Sequence, residues 1–171
     1  MPPKFGDFEV HRYWMETTFH YPMNKWYSDG EHMNTTWAPL DYPPLCAYSH
    51  WFMAQIISKI APDAIKPASS YGYNGSLYRS TMRTTLIILE LLALFPPFLK
   101  LLVALYPKAS TTTRRLYFCV ILTLPSAIFI DHAHFQPNSA MHGMVLWAVY
   151  FMITSRIEWA VVFMVSAVSF K

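Results

Sequence analysis

The chain has 171 residues, 54% hydrophobic and 17% aromatic but only 13% charged, about half the charge typical of soluble domains. This composition excludes intrinsic disorder, which needs high charge and low hydrophobicity, and a net charge of only +3 argues against a basic nucleic-acid binder. Two cysteines, Cys46 and Cys119, are too few for a disulfide framework, and the charge depletion points to a membrane protein.

The first half differs from the second. Residues 1–83 balance seven basic against seven acidic side chains and are rich in Tyr, Trp and Pro. No cleavable signal peptide is read at the start, where Met1 to Asp7 holds no apolar run and no small-residue cleavage site. Phe8–Phe19 is expected to be helical, following Gly6-Asp7 and stopped by Pro22. A second helix is expected over Leu45–Ile60, after Pro43-Pro44 and before Pro62. Its broad apolar face has two readings, an interfacial helix lying on a bilayer or an amphipathic core helix.

The second half is greasier. Residues 84–106 form an apolar run between Arg83 and Pro107, long enough to span a bilayer despite Glu90 and Lys100. Pro96-Pro97 is expected to kink it. Shorter apolar runs follow at 116–131, 140–154 and 157–170. The expected fold is therefore an all-α polytopic membrane protein: a helical region over 1–83, then about four spans over 84–171. A soluble helical core is the other reading. Lys108, Arg114 and Arg115, with no acid beside them, place the first connection on the cytoplasmic side. Residues 1–83 and the 131–139 connection then lie opposite, in the endoplasmic reticulum (ER) lumen of a eukaryote. The glycosylation acceptors Asn34-Thr35-Thr36 and Asn74-Gly75-Ser76 fit that side.

Candidate chemistry is sparse. Five glycines show no phosphate-cradling spacing. Asp131-His132-Ala133-His134, with His142 beyond, offers metal-type donors but no held third or fourth ligand, so a polar cluster at a helix end is preferred and no metal is assigned. Asp7 and Glu9 begin the first helix, and a carboxylate at a membrane boundary can act as general base. Glu9, Arg12 and Glu16 share a helical face, for which a solvated salt-bridge stripe is the plain alternative. Glu90 and Asp131, acids near or inside spans, keep a proton-coupled transporter open as a competing class.

Taken together, GDFEVHRYWME (Gly6–Glu16), KWY (Lys25–Tyr27) and LDYPPLCAYSHW (Leu40–Trp51) resemble the first lumenal loop of the ER dolichyl-phosphate-glucose-dependent α-1,3-glucosyltransferases of asparagine-linked glycosylation. MRTT (Met82–Thr85) before the long apolar run, IDHAHFQPNS (Ile130–Ser139) and the WAVVFMVSAVSFK ending are similar to later landmarks of that family. LDYPPL with its AY-x-x-W continuation, and MRTT, favour the branch that adds the first glucose; the second-glucose branch is the alternative. The chain departs from the pattern at Pro137 and in the stretch before MRTT.

The resemblance implies a glycosyltransferase-C fold and an ER membrane enzyme. Its donor substrate would be dolichyl-phosphate glucose, with no cofactor, and its acceptor dolichyl-diphosphate-linked Man9GlcNAc2. It implies Asp7 as the base, and substrate-binding roles for Glu9, Arg12, Asp41, Tyr42, Arg83, Asp131, His134 and Gln136. Glu9 and Arg12 have an alternative role, organising the loop around Asp7. Further spans are expected before Gly6 and after Lys171, so the chain reads as the front of a longer enzyme; a non-catalytic membrane remnant that binds lipid-linked sugar is the alternative.

Overall fold

A computed structural model describes residues 6–28, 37–123, 125 and 128–171, and among these every regular element is helical. The chain divides into two compact units, residues 1–84 with Phe170, and 85–169 with Lys171. The acceptor at Asn34-Thr35-Thr36 lies outside the described residues.

In the first unit, α1 (Asp7–His20) starts at Gly6, whose φ of 53° and ψ of −133° suit a residue without a Cβ. The Gly6 carbonyl accepts from the amides of Glu9 and Val10. Asp7 and Glu9 supply negative charge to the first turn, favourable beside the helix's exposed N–H groups. The helix ends at His20, ahead of Pro22. Next, Trp26 is buried and donates its indole N–H to the Tyr21 carbonyl, while Tyr27 donates to the Tyr42 carbonyl. The KWY motif therefore holds the chain between the helices.

Helix α2 (Pro44–Ile60) opens with proline in its first turn, where the missing N–H costs nothing. It buries Cys46, Ala47, His50, Ala54 and Ile57 along one stripe against α1 and the 3-10 turn Pro62–Ile65. Trp14, Met15, Ala64 and Ile65 complete this core, in which each large apolar side chain contributes about 1.5–3 kcal/mol. Tyr48, Trp51, Phe52 and Ile60 of α2 remain exposed.

Helix α3 (Ser76–Leu89) runs through a π-helical turn, Glu90–Leu94, into α4 (Phe95–Leu105). The combined helix has 30 residues and is the one helix, among the described residues, long and apolar enough to cross a membrane. It begins at Ser76, well before the expected start at 84. Pro96 and Pro97 cannot donate to the carbonyls one turn back and would crowd them. The turn is widened just there, with Phe95 N–H bonded back to Glu90; the expected kink is a π bulge.

The second unit continues with α5 (Thr111–Leu122), a π-helical turn Ile128–Ala133, α6 (Asn138–Ile153) and α7 (Ile157–Val168). Ser110 caps α5 by accepting from the Thr113 amide. The Arg114 guanidinium donates to the carbonyls of Tyr106 and Pro107, neutralising the C-terminal end of α4. Helix α6 packs on α4, on the Glu90–Leu94 turn and on α7, where Trp147, Phe151 and Phe163 form a mutual aromatic cluster with centroids 5.4, 5.6 and 5.9 Å apart. Helices α5, α6 and α7, with 12, 16 and 12 residues, are shorter than the roughly 20 a perpendicular span needs. Of these, α7 is the apolar one by composition, and it exposes Trp159, Val161, Val162 and Val165.

Candidate functional site

Helix α1 carries two opposed faces, each with its own polar arrangement. Positions 7, 10, 11 and 14 fall on one side at helical spacing. With Trp37, Ala38, Pro39, Asp41 and Tyr42 they line a pocket of about 220 Å³ in the first unit. Its carboxylates come from Asp7, half-buried at the start of α1, and exposed Asp41. The rest of the wall is largely aromatic. Trp14 donates its indole N–H to the carbonyls of Ala38 and Pro39, at 3.3 and 3.0 Å, and packs edge-on to Tyr42. One tryptophan thus ties the segment bearing Asp41 to the helix bearing Asp7.

The other face of α1 carries Glu9, Arg12 and Glu16. They are not a solvated stripe. Arg12 is 1% exposed and Glu9 3%. The Arg12 guanidinium meets Glu9 Oε1 and Glu16 Oε2 at 2.7 Å each, and also donates to the Ala64 carbonyl and the Ser70 hydroxyl. The Ser70 hydroxyl donates a hydrogen bond to Glu16, Ala68 N–H donates to Glu16, and Gly72 N–H donates to Glu9. Burial works against the charge on Arg12, but the bonds and charges of Glu16 and Glu9 outweigh it and hold the guanidinium above its ordinary value. A buried charge is tolerable only when paired and hydrogen-bonded in this way. The arrangement clamps α1 to the 64–72 segment and so fixes the helix whose other face carries Asp7.

Behind the pocket, His11 Nδ1 lies 2.6 Å from His50 Nε2, and His50 Nδ1 lies 2.8 Å from the Cys46 carbonyl oxygen. Both histidines are 2% exposed. Burial pulls His50 down to about 4, against a smaller upward pull from the Cys46 carbonyl, so it is neutral at physiological pH.

Arg83 is exposed on α3. In the second unit, buried Asp131 accepts from the Asn138 side chain at 2.8 Å and from the Ser139 amide at 2.9 Å, so it caps the start of α6. Gln136 accepts from Asn138 and from Lys171, which also reaches Asn138 at 2.7 Å. His134 is exposed, and His132 turns to Glu90 at 2.9 Å. Among the described residues no three His, Cys, Asp or Glu side chains converge as metal ligands. Asp131, Gln136, Asn138 and His142 also line a largely apolar cavity of about 660 Å³ within this unit.

The whole chain, residues 1–171, matches one family of glycosyltransferases. It belongs to the ALG6, ALG8 glycosyltransferase family. Proteins named dolichyl pyrophosphate Man9GlcNAc2 alpha-1,3-glucosyltransferase are similar to it: the Gallus gallus protein is 37% identical over 86% of this chain and 29% of its own length. The Pongo abelii protein is 38% identical over the same shares. A probable counterpart from Schizosaccharomyces pombe is 34% identical over 99% of this chain and 33% of its own. The chain thus spans about a third of the length of the curated relatives it matches.

In this ALG6, ALG8 family chain, three of the residues singled out from sequence, Asp7, Asp41 and Tyr42, share one pocket. Glu9 and Arg12 are in the clamp behind it. Asp131 and Gln136 meet through Asn138 in the second unit. Sequence reasoning passed over His11, Trp14 and His50. The signal for the first two was present, since positions 7, 11 and 14 repeat at helical spacing; His50, on another helix, left none.

Proposed function

We propose that the protein transfers glucose from dolichyl-phosphate glucose to the terminal mannose of dolichyl-diphosphate-linked Man9GlcNAc2, forming an α-1,3 linkage with inversion. The observation that carries this reading is the grouping of Asp7 and Asp41 in an aromatic-walled pocket within a chain of this family. Carboxylates bind sugar hydroxyls and aromatic faces cover sugar rings. The relatives' names support the first-glucose branch over the second.

The chemistry assigns Asp7 as base. Its carboxylate takes the proton of the attacking hydroxyl as the new C1–O bond forms, and the bond from C1 to the phosphate oxygen breaks on the opposite face. The departing phosphate ester is already anionic, so no acid need protonate it, unlike the alkoxide released by a glycosidase. It needs donors or positive charge instead; Arg83, His134 and Gln136 are the candidates. Asp41 and Tyr42 are assigned to sugar hydroxyls, and Glu9 and Arg12 to positioning α1.

The working place is the ER membrane, with residues 1–83 on the lumenal side and the chain crossing the bilayer several times. The apolar exposed surface of α3, α4 and α7 supports contact with lipid, and Tyr48, Trp51 and Phe52 on α2 support an interfacial position. Membranes carrying the gene's full product should move glucose from dolichyl-phosphate glucose to the Man9 acceptor. Asp7→Asn should lower kcat by about 10²–10⁴-fold; full activity in that variant removes Asp7 from the mechanism.

A further inference from the structure

Helices α4 and α6 run in the same direction. Gly143, near the start of α6, faces the Ala93 carbonyl, whereas Thr154, just past its end, shares a wall with Val103 and Ala104 near the end of α4. The C-terminal ends of the two helices therefore lie together. On or beside the connections that leave them are Lys100, Lys108, Arg114, Arg115 and Arg156, against one acid, Glu158. Between the helices at this end is a groove of about 530 Å³, within the roughly 300–1,000 Å³ of ligand pockets. Leu99, Val103 and Ala104 form one wall, and Tyr150 and Thr154 the other. Lys100 is the one charged residue lining it, and among the described residues no carboxylate pairs with Lys100. Leu99 and Val103 are exposed, so the groove is open to its surroundings.

We propose that this groove holds an acyl chain of an anionic glycerophospholipid, with Lys100 as the contact for its headgroup phosphate. The inference rests on the membrane placement proposed above, not on glucose transfer. By the excess of Lys and Arg, this end is the cytoplasmic one, and the cytoplasmic leaflet is the one that carries anionic lipid. Lys100 precedes the last residue of α4 by five positions, about 8 Å along the axis. That depth lets the ammonium reach headgroup level while its stem stays on apolar surface. A cation on an apolar wall is costly in hydrocarbon without a countercharge. The phosphodiester supplies that charge, and the acyl chain covers Leu99 and Val103. A zwitterionic lipid offers the same chain, but its own cationic group competes for the phosphate. A later segment of the protein would have to bring an acid into the groove. The α4 carbonyls at this end already accept from Arg114, which lessens their repulsion of an anion.

The test uses the full gene product in phosphatidylcholine nanodiscs, with photoactivatable phosphatidylinositol or phosphatidylcholine carrying the reactive group on an acyl chain. Peptides covering 96–104 and 150–154 should be labelled about fivefold more by phosphatidylinositol, the equivalent of about 1 kcal/mol for one basic residue at the surface. Lys100→Gln should bring the two lipids level, and Lys100→Arg should keep the preference. Helix α7, with Val161 and Val165 exposed, is the internal reference and should be labelled alike by both lipids. Equal labelling of the groove in the wild type, or a preference unmoved by Lys100→Gln, overturns the proposal. So does a groove that neither lipid labels while α7 is labelled, which would put a later segment of the protein there. Full displacement of phosphatidylinositol by an equal amount of dolichyl phosphate also overturns it and makes the groove a substrate-lipid site. If neither lipid labels α4 or α7, the membrane placement falls as well. Asp7→Asn should be labelled like the wild type, so the fate of the glucosyltransferase reading leaves this result untouched.

Discussion

Arg12 donates from Nη1 to the carbonyl oxygen of Ala64 at 3.1 Å, across 52 positions of sequence. With its bonds to Glu9, Glu16 and Ser70, that contact makes one side chain the junction of α1 and the 64–72 segment. Arg12→Ala strands two buried carboxylates, and breaking a buried pair in this way costs about 3–5 kcal/mol. Arg12→Lys restores charge but not the planar fork that reaches both carboxylates, so it should recover only part of the loss. The check is thermal unfolding of the purified chain. A variant as stable as wild type would show that the clamp does not hold α1.

Gly6 sets where α1 begins. Its φ of 53° with ψ of −133° is a backbone conformation that L side chains rarely adopt, and no atom within 4 Å would meet an added Cβ. Any effect of Gly6→Ala is therefore a backbone effect, about 1–3 kcal/mol. The helix can relieve that strain by starting later, which would displace Asp7 from its first turn. Gly6→Ala in the full-length enzyme should therefore lower kcat more than it lowers the melting temperature. A loss of stability with unchanged kcat would separate Gly6 from the placement of Asp7.

Local signals were readable in the residues themselves. Gly6-Asp7, Pro22, Pro43-Pro44 and Pro62 bracket α1 and α2 to within a residue or two, because caps and prolines act on their immediate neighbours. The face shared by Glu9, Arg12 and Glu16 was also legible, but its burial was not. Arg12's further partners, Ala64 and Ser70, lie more than fifty residues away, and no periodicity announces them. The same limit hid His50 behind His11. In the second half, Pro96-Pro97 announced a distortion, but not its form as a π turn or the packing of α6 against that turn. The apolar runs marked α6 and α7, whereas α5 begins earlier than its run because Ser110 caps it from the polar connection.

Gly143 on α6 stands where α6 meets the π turn. A Cβ there would lie 2.1 Å from the Ala93 carbonyl oxygen and 2.6 Å from its carbon. Pro97, one turn after Ala93, has no N–H to offer that carbonyl, and the absence of a side chain at 143 lets α6 come this close. The opposing atoms are backbone, so Gly143→Ala should cost about 1–3 kcal/mol as α6 is pushed away. Gly75→Ala makes the comparison: the three atoms nearest its Cβ, at 2.6–2.9 Å, all belong to the Tyr73 ring and not to backbone, so its cost should be smaller. Thermal melts of the two variants in detergent decide this. Equal losses would mean that the α6 approach is not tight.

His50 should make stability depend on pH. Its folded value, about 4, lies below the ordinary 6.5. Below pH 6.5 the unfolded chain takes up a proton at this residue that the folded chain refuses until about pH 4. Stability must therefore fall as pH drops through that window and stop falling, on account of this group, beneath it. The full difference amounts to about 3 kcal/mol. The informative quantity is the difference between wild type and His50→Gln, in which the contributions of all other groups cancel. Gln cannot take up the proton but can still accept from His11 Nδ1. The wild type should lose more of its melting temperature than His50→Gln between pH 7 and pH 4, whereas parallel curves would mean that His50 is hydrated rather than sealed behind His11.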